Sequence, residues 1–187
     1  MPYDFGAKFS SGLTYSAFLD RYATPEQRRR WDDTYAAMTL SLEQRSLLES
    51  FVREIKVLVL TGAWCGDCIN QCPAFERFAQ ATPTISVRYF DRDVDADVAA
   101  ELQTCGAPRV PAVVFLSEDG QFCGRYGDRT ISKYRKMMSN VGGAVCPTGL
   151  LTADDERNAV VQDWLNEFER IHAMLRTSSR LRQKHGD

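Results

Sequence analysis

The chain has 187 residues, of which 44% are apolar and 26% are charged, and its formal net charge is −2. This composition is typical of a soluble globular protein, and the length favours one domain with additions over two substantial domains. A charge this close to zero gives no indication of a nucleic acid or a membrane as partner. No apolar run reaches the roughly eighteen residues of a membrane-spanning helix. The chain also starts without the basic and apolar segments of a secretory signal, so we expect a cytoplasmic location.

The first third of the chain is predicted to be helical. Apolar residues between Leu13 and Tyr22 mark a first short helix. Thr24 with Gln27 forms a capping-box pattern that starts a second helix, and Ser41 with Gln44 starts a third. These helices are expected to pack against the flank of the fold that follows.

The middle of the chain combines strand and helix patterns. Residues 57–60 form an apolar run typical of a strand buried on both faces, and the segment after Cys65 repeats apolar residues at helical spacing. The other predicted elements are strands over 84–90, 112–116 and 121–126, a short helix after Asp95, and a helix over 131–139. A helix separates the first two strands and a hairpin turn joins the last two. We therefore predict an α/β fold, with a central mixed β-sheet flanked by helices.

The end of the chain is predicted to be a loop over 141–149 and one long helix that starts between Thr152 and Asp155. The apolar stripe of this helix runs from Val160 to Leu175, so one face must be buried against the core or in a homodimer. The predicted organisation is an N-terminal helical extension over 1–55, a core over 56–140, and a loop with a C-terminal helix over 141–187. Together these parts are expected to form one globular domain.

The stretch Trp64-Cys65-Gly66-Asp67-Cys68 lies where the first strand meets its helix. A helix start offers unpaired N–H groups and a partial positive charge, and both favour a thiolate over a thiol. The spacing of the two cysteines lets their sulfurs close a small disulfide ring, so the pair could alternate between dithiol and disulfide. A purely structural disulfide is the alternative, although so small a ring removes little chain entropy and adds little stability.

Two further features accompany this motif, namely Pro73 five residues further on and Arg109-Val110-Pro111 before an apolar strand. With them, the chain resembles the thioredoxin family. The resemblance covers roughly residues 55–140. It implies a thioredoxin-like core with N-terminal and C-terminal helical extensions, and a protein-disulfide reductase activity that uses no cofactor. It also implies two kinds of partner, namely proteins that contain disulfides and an electron-donating reductase.

Particular roles follow for the residues of the motif. Cys65, at the exposed helix start, is expected to attack a substrate disulfide, and Cys68, one turn inward, to resolve the mixed disulfide. The resemblance implies that the backbone of Val110, beside a cis bond to Pro111, pairs with substrate. Trp64 and Gly66 would line the same groove.

Two departures from the family pattern bear on the chemistry. Asp67 stands where the best-known members carry proline, and a carboxylate beside Cys65 is expected to raise the pKa of that thiol and favour a reductant. Arg109 either offsets Asp67 with its positive charge or points to solvent. Val59 stands where many members have a buried aspartate, so no base for Cys68 is evident.

Cys72 lies one helical turn beyond Cys68 and is open to three interpretations. It is a buried small side chain, a second resolving thiol, or a ligand in a metal or iron–sulfur module with Cys65, Cys68 and Cys105. The sequence contains no second Cys-x2-Cys pair, so no metal site is predicted. The cysteines that we expect to be spare thiols are Cys105, Cys123 and Cys146. A binding or regulatory scaffold without turnover is the remaining alternative.

Overall fold

A four-stranded mixed sheet forms the centre of the computed structural model, which describes residues 2–139 and 156–187. The strands are β1 (Ile55–Thr61), β2 (Ile85–Asp91), β3 (Ala112–Ser117) and β4 (Phe122–Tyr126). Their order is β2-β1-β3-β4, with β2 parallel to β1, β3 antiparallel to β1, and β4 antiparallel to β3. The predicted mixed sheet with flanking helices is therefore confirmed.

The helices surround this sheet and extend the fold at both ends of the chain. They are α1 (Phe5–Phe9), α2 (Tyr15–Tyr22), α3 (Pro25–Ala37), α4 (Leu42–Glu49), α5 (Gly66–Ala81), α6 (Ala96–Glu101), α7 (Ile131–Ser139), α8 (Glu156–Thr177) and α9 (Ser179–His185). Both predicted capping boxes are present, at Thr24 with Gln27 and at Ser41 with Gln44. In the described part of the chain, no helix has the length and apolarity needed to cross a membrane.

Two helices were not foreseen. The first, α1, precedes the predicted N-terminal helices. The second, α9, continues after α8, because Ser178 leaves the helical conformation and its hydroxyl accepts a hydrogen bond from the N–H of Leu181. The predicted loop over 141–149, the helix start between Thr152 and Asp155, and Cys146 lie outside the described residues. The division into three parts stays a prediction.

The apolar stripe of α8 packs inside this chain. Its buried members are Val160, Val161, Trp164, Leu165, Phe168, Ile171 and Leu175. The Phe168 ring meets Phe78 of α5 at a centroid distance of 5.1 Å and Phe115 of β3 at 5.2 Å, both edge-on. A homodimer through the C-terminal helix would therefore have to use another surface of α8, since this stripe already covers the core.

The N-terminal helices support the segment between β1 and α5. Trp31 of α3 is fully buried, and its indole N–H donates to the backbone carbonyl of Ala63 over 2.9 Å. Ala63 lies two residues before Cys65, so this hydrogen bond fixes the approach of the chain to α5. The N-terminal extension thereby takes part in positioning the cysteine motif.

Candidate active site

Cys65 is the N-cap residue of α5, and its backbone N–H is bonded to the carbonyl of Gly62. The backbone N–H groups of Cys68 and Asp67 approach the Cys65 sulfur and act to lower its pKa. They are the unpaired donors of the helix start, as the sequence predicted. Cys65 Sγ also lies 3.6 Å from the carbonyl oxygen of Val110, to which the thiol donates. The motif and the Val110–Pro111 segment are therefore adjacent, and the peptide bond between Val110 and Pro111 is cis.

Cys68 is fully buried behind Cys65. The neighbouring Cys68 side chain, together with burial, raises the pKa of Cys65 despite the opposing backbone N–H groups. Burial raises the pKa of Cys68. The pair is thus exposed on one side and enclosed on the other, and both cysteines favour the thiol over the thiolate.

Polar groups are sparse behind Cys68. Val59 is fully buried in β1, so no carboxylate stands at that position. Burial has the largest effect on the pKa of Cys68, and the hydroxyl of Thr61, at the end of β1, acts against it by lowering that pKa. Thr61 Oγ1 also lies 3.7 Å from Cys72 Sγ. Thr61 was not predicted because a threonine at the end of an apolar strand gives no signal of its own.

Cys72 is a buried neighbour of Cys68 on the same helix. Residues four apart on a helix have Cβ atoms about 5–6 Å apart, whereas a disulfide needs about 3.5–4.5 Å. A bond between Cys68 and Cys72 would require the helix to distort, so the structure favours a small buried side chain over a second resolving thiol. In residues 2–139 and 156–187, no three cysteine, histidine or acidic side chains are arranged to hold a metal ion.

The acidic residue of the motif is paired, but not with the arginine that the sequence suggested. Asp67 Oδ2 lies 2.6 Å from Arg129 Nη2. Arg109 instead binds Asp128, with 3.3 Å between Arg109 Nη1 and Asp128 Oδ2. The interpretation that Arg109 offsets Asp67 is therefore corrected, because the arginine paired with Asp67 is Arg129. Arg129 was missed because only the folded topology brings the β4–α7 connection next to the start of α5.

Asp128 links several elements beside the motif. It is only 3% exposed, and its carboxylate accepts hydrogen bonds from Arg109, Arg129 and the hydroxyl of Tyr134. Its backbone carbonyl accepts one from the side chain of Gln71 on α5, at 3.1 Å. The connection before α7 is thus fixed against α5, α7 and the segment before β3.

Trp64 and Gly66 provide an open surface beside Cys65. The Trp64 side chain is 43% exposed, and the Arg92 guanidinium lies 4.3 Å from its ring centroid. The ring also packs against Gly62, where an added Cβ would come within 2.7 Å of it. Around Gly66, an added Cβ would have no neighbour within 4 Å. By contrast, the side chains of Val110 and Pro111 are buried, which leaves the backbone as the part of this segment near the sulfur.

A family model described as thioredoxin matches residues 12–141. The chain belongs to the thioredoxin family. The match begins well upstream of the resemblance seen in the sequence, so it includes the helices α2, α3 and α4 that precede β1. No curated protein sequence matches the chain.

Solved structures share the fold at low sequence identity. A protein of unknown function from Pseudomonas aeruginosa is 18% identical, with a TM-score of 0.69, and the alignment covers 90% of this chain and 98% of that one. An HIV epitope scaffold is 18% identical with a TM-score of 0.63, covering 90% and 99%. Thioredoxin from Fasciola hepatica is 24% identical over 51% of this chain and 88% of its own, with a TM-score of 0.36. The first two alignments each cover 90% of this chain, so they include residues of the helical extensions as well as the core.

Proposed function

We propose that this protein is a thiol–disulfide oxidoreductase that reduces disulfides in other proteins. The observation that supports it best is the position of Cys65, at the start of α5, within reach of both the Cys68 thiol and the Val110 carbonyl. Membership of the thioredoxin family supports the same chemistry. The raised pKa of both thiols is consistent with a pair that gives electrons away, because a less stabilised thiolate makes a stronger reductant.

The proposed reaction has two steps. The Cys65 thiolate attacks one sulfur of the substrate disulfide, which forms a mixed disulfide and releases the other substrate sulfur as a thiolate. Cys68 then loses its proton and attacks Cys65 Sγ, so that the Cys65–Cys68 disulfide forms and the second substrate thiolate leaves. The substrate gains two electrons and two protons, and the protein pair loses the same number.

The surroundings of Cys65 suit a polypeptide substrate. Trp64 offers an exposed apolar ring, Gly66 leaves open space at the residue after Cys65, and the Val110 carbonyl is a backbone acceptor next to the sulfur. We therefore propose disulfide-containing proteins as substrates. Regeneration of the dithiol requires an electron-donating reductase and a reducing compartment such as the cytoplasm. The pair needs no cofactor of its own for either step.

Reduction of insulin by the purified protein, with dithiothreitol as the electron source, tests this proposal. Cys65→Ser should abolish turnover, whereas Cys68→Ser should accumulate a mixed disulfide that survives non-reducing electrophoresis. Cys123→Ser is the matched control, because that thiol lies on β4 and contacts the carbonyl of Gln121. Wild-type activity in the Cys65 variant would contradict the proposal, and a complete lack of turnover in the wild type would favour a binding scaffold.

A further inference from the structure

The carboxylate of Asp67 lies close to the reactive end of α5, in its first turn. A negative charge there opposes a thiolate on Cys65. In the structure this carboxylate faces Arg129, and both side chains are largely shielded, with exposures of 22% for Arg129 and 20% for Asp67. Charges that are partly buried are screened by salt less than charges in open solvent, so their pairing matters more.

We propose that Arg129 is a positioning residue for Cys65, because its guanidinium neutralises Asp67 and fixes the position of that carboxylate. The inference rests on the proposed function, since it concerns the thiol that would attack a substrate. Arg129 acts through Asp67 and has no contact with the reacting sulfur in this structure. A motif with a carboxylate between its cysteines thus carries its own counter-charge, supplied from the β4–α7 connection.

Arg129 can serve this purpose because it is itself held in place. Its Nη1 atom lies 2.9 Å from Asp128 Oδ2, while Nη2 pairs with Asp67. The carboxylate of Asp128 is fixed in turn by the Tyr134 hydroxyl and by Arg109. A guanidinium presents several donors in one rigid plane and can join two carboxylates at once. The ammonium group of a lysine lacks that geometry, so a lysine should replace Arg129 only in part.

The charges around Cys65 come from three sides. The charged side chains are Asp67 on α5, Arg92 beside Trp64, Arg109 before β3, and Asp128 and Arg129 before α7. The titratable groups next to them are Cys68 and Tyr134. Arg92 pairs with Asp93, and Arg109 binds Asp128, so each is engaged elsewhere. Loss of Arg129 would therefore leave Asp67 without its closest positive charge.

The test is the pH dependence of Cys65 alkylation by iodoacetamide in the full chain, followed by mass spectrometry of the Cys65 peptide. Arg129→Gln should move the midpoint upward by about 1 pH unit, because an uncompensated carboxylate disfavours the thiolate. The double variant Asp67→Asn with Arg129→Gln should return the midpoint close to the wild-type value. Arg129→Lys should give an intermediate midpoint.

The matched control is Arg170→Gln, which removes a guanidinium that pairs with Glu167 on α8 and should leave the midpoint unchanged. An unchanged midpoint in Arg129→Gln would overturn the inference, and so would a double variant whose midpoint stays as high as that of the single variant.

If Arg129→Gln does not fold, Asp67→Asn alone decides. Its midpoint should fall, because Arg129 then keeps only the carboxylate of Asp128 and its remaining positive charge favours the thiolate, and a constant or raised midpoint would contradict the inference. Alkylation reports on the thiolate whether or not the protein turns over, so failure here is distinct from failure of the proposed function.

Discussion

Replacement of Trp164 by phenylalanine should destabilise the protein through one lost hydrogen bond. Trp164 is fully buried on α8, and its indole N–H donates to Gln71 Oε1 over 3.1 Å. Phenylalanine keeps an aromatic ring against Phe75, whose centroid lies 4.7 Å away. The donor is lost, however, and Gln71 is only 1% exposed, so its oxygen cannot turn to water.

A buried acceptor left without a partner costs about 1–3 kcal/mol, and the smaller ring adds the loss of a few packing contacts. We therefore expect Trp164→Phe to lower the free energy of unfolding by about 2–3 kcal/mol, a large share of the roughly 5–15 kcal/mol of a typical domain. Urea denaturation followed by circular dichroism measures this free energy. The slope of the free energy against urea concentration should be the same in the variant and the wild type.

A second variant separates the hydrogen bond from packing. Gln71→Met removes the acceptor, so Trp164→Phe should cost less in that background than in the wild type, by about 1 kcal/mol. If Trp164→Phe is as stable as the wild type, or if the two changes are strictly additive, the hydrogen bond between α8 and α5 does not contribute as argued.

Three further predictions concern other contacts of the fold. Trp31→Phe should cost about 1–3 kcal/mol in urea, because the Ala63 carbonyl then lacks a donor, and an unchanged midpoint would refute this. Thr61→Val should prolong the lifetime of the mixed disulfide about tenfold in a quenched-flow assay, since the Thr61 hydroxyl that acts to lower the pKa of Cys68 is then lost, and an equal lifetime would refute it. His172 has its pKa lowered by burial and by Arg176 and Arg53, and its Nε2 accepts the N–H of Val52. The folded state therefore protonates His172 less readily than the unfolded state does. The contribution of neutral His172 to stability is present above a pH of about 6.5 and is lost as the pH falls below that value. His172→Phe should weaken this loss in melts at pH 7.5 and 5.5, and an identical pH dependence would count against it.

Much of the fold could be predicted because its signals are local. Thr24 and Ser41 each sit three residues before a glutamine, and this pattern alone determines where α3 and α4 begin. The apolar runs around β1 and β3 likewise indicate strands buried on both faces. The short helix α1 has a weaker local signal, the N-cap Asp4 whose side chain accepts from the N–H of Ala7, and distant contacts also hold it, including an ion pair of 3.2 Å from Lys8 to Asp95.

The candidate site was predictable only in part. The cysteine pair and the Val110–Pro111 segment stand out as motifs, and the structure brings Cys65 against Val110. The roles of Arg109 and Arg129 could not be told apart, because both are single arginines on connections and only the folded topology decides which one meets Asp67. Thr61 escaped notice for a related reason, since its partner Cys68 lies on the next element.

The reduction potential of the Cys65–Cys68 pair tests the central claim most directly. The full chain would be equilibrated with mixtures of reduced and oxidised dithiothreitol or glutathione, and the pair would be quantified by alkylation and mass spectrometry. We predict a single two-electron transition between dithiol and Cys65–Cys68 disulfide, at a potential more negative than about −230 mV, which is the range of a reductant. A pair that forms no disulfide, or one that titrates at a more positive potential near about −120 mV, would contradict the account.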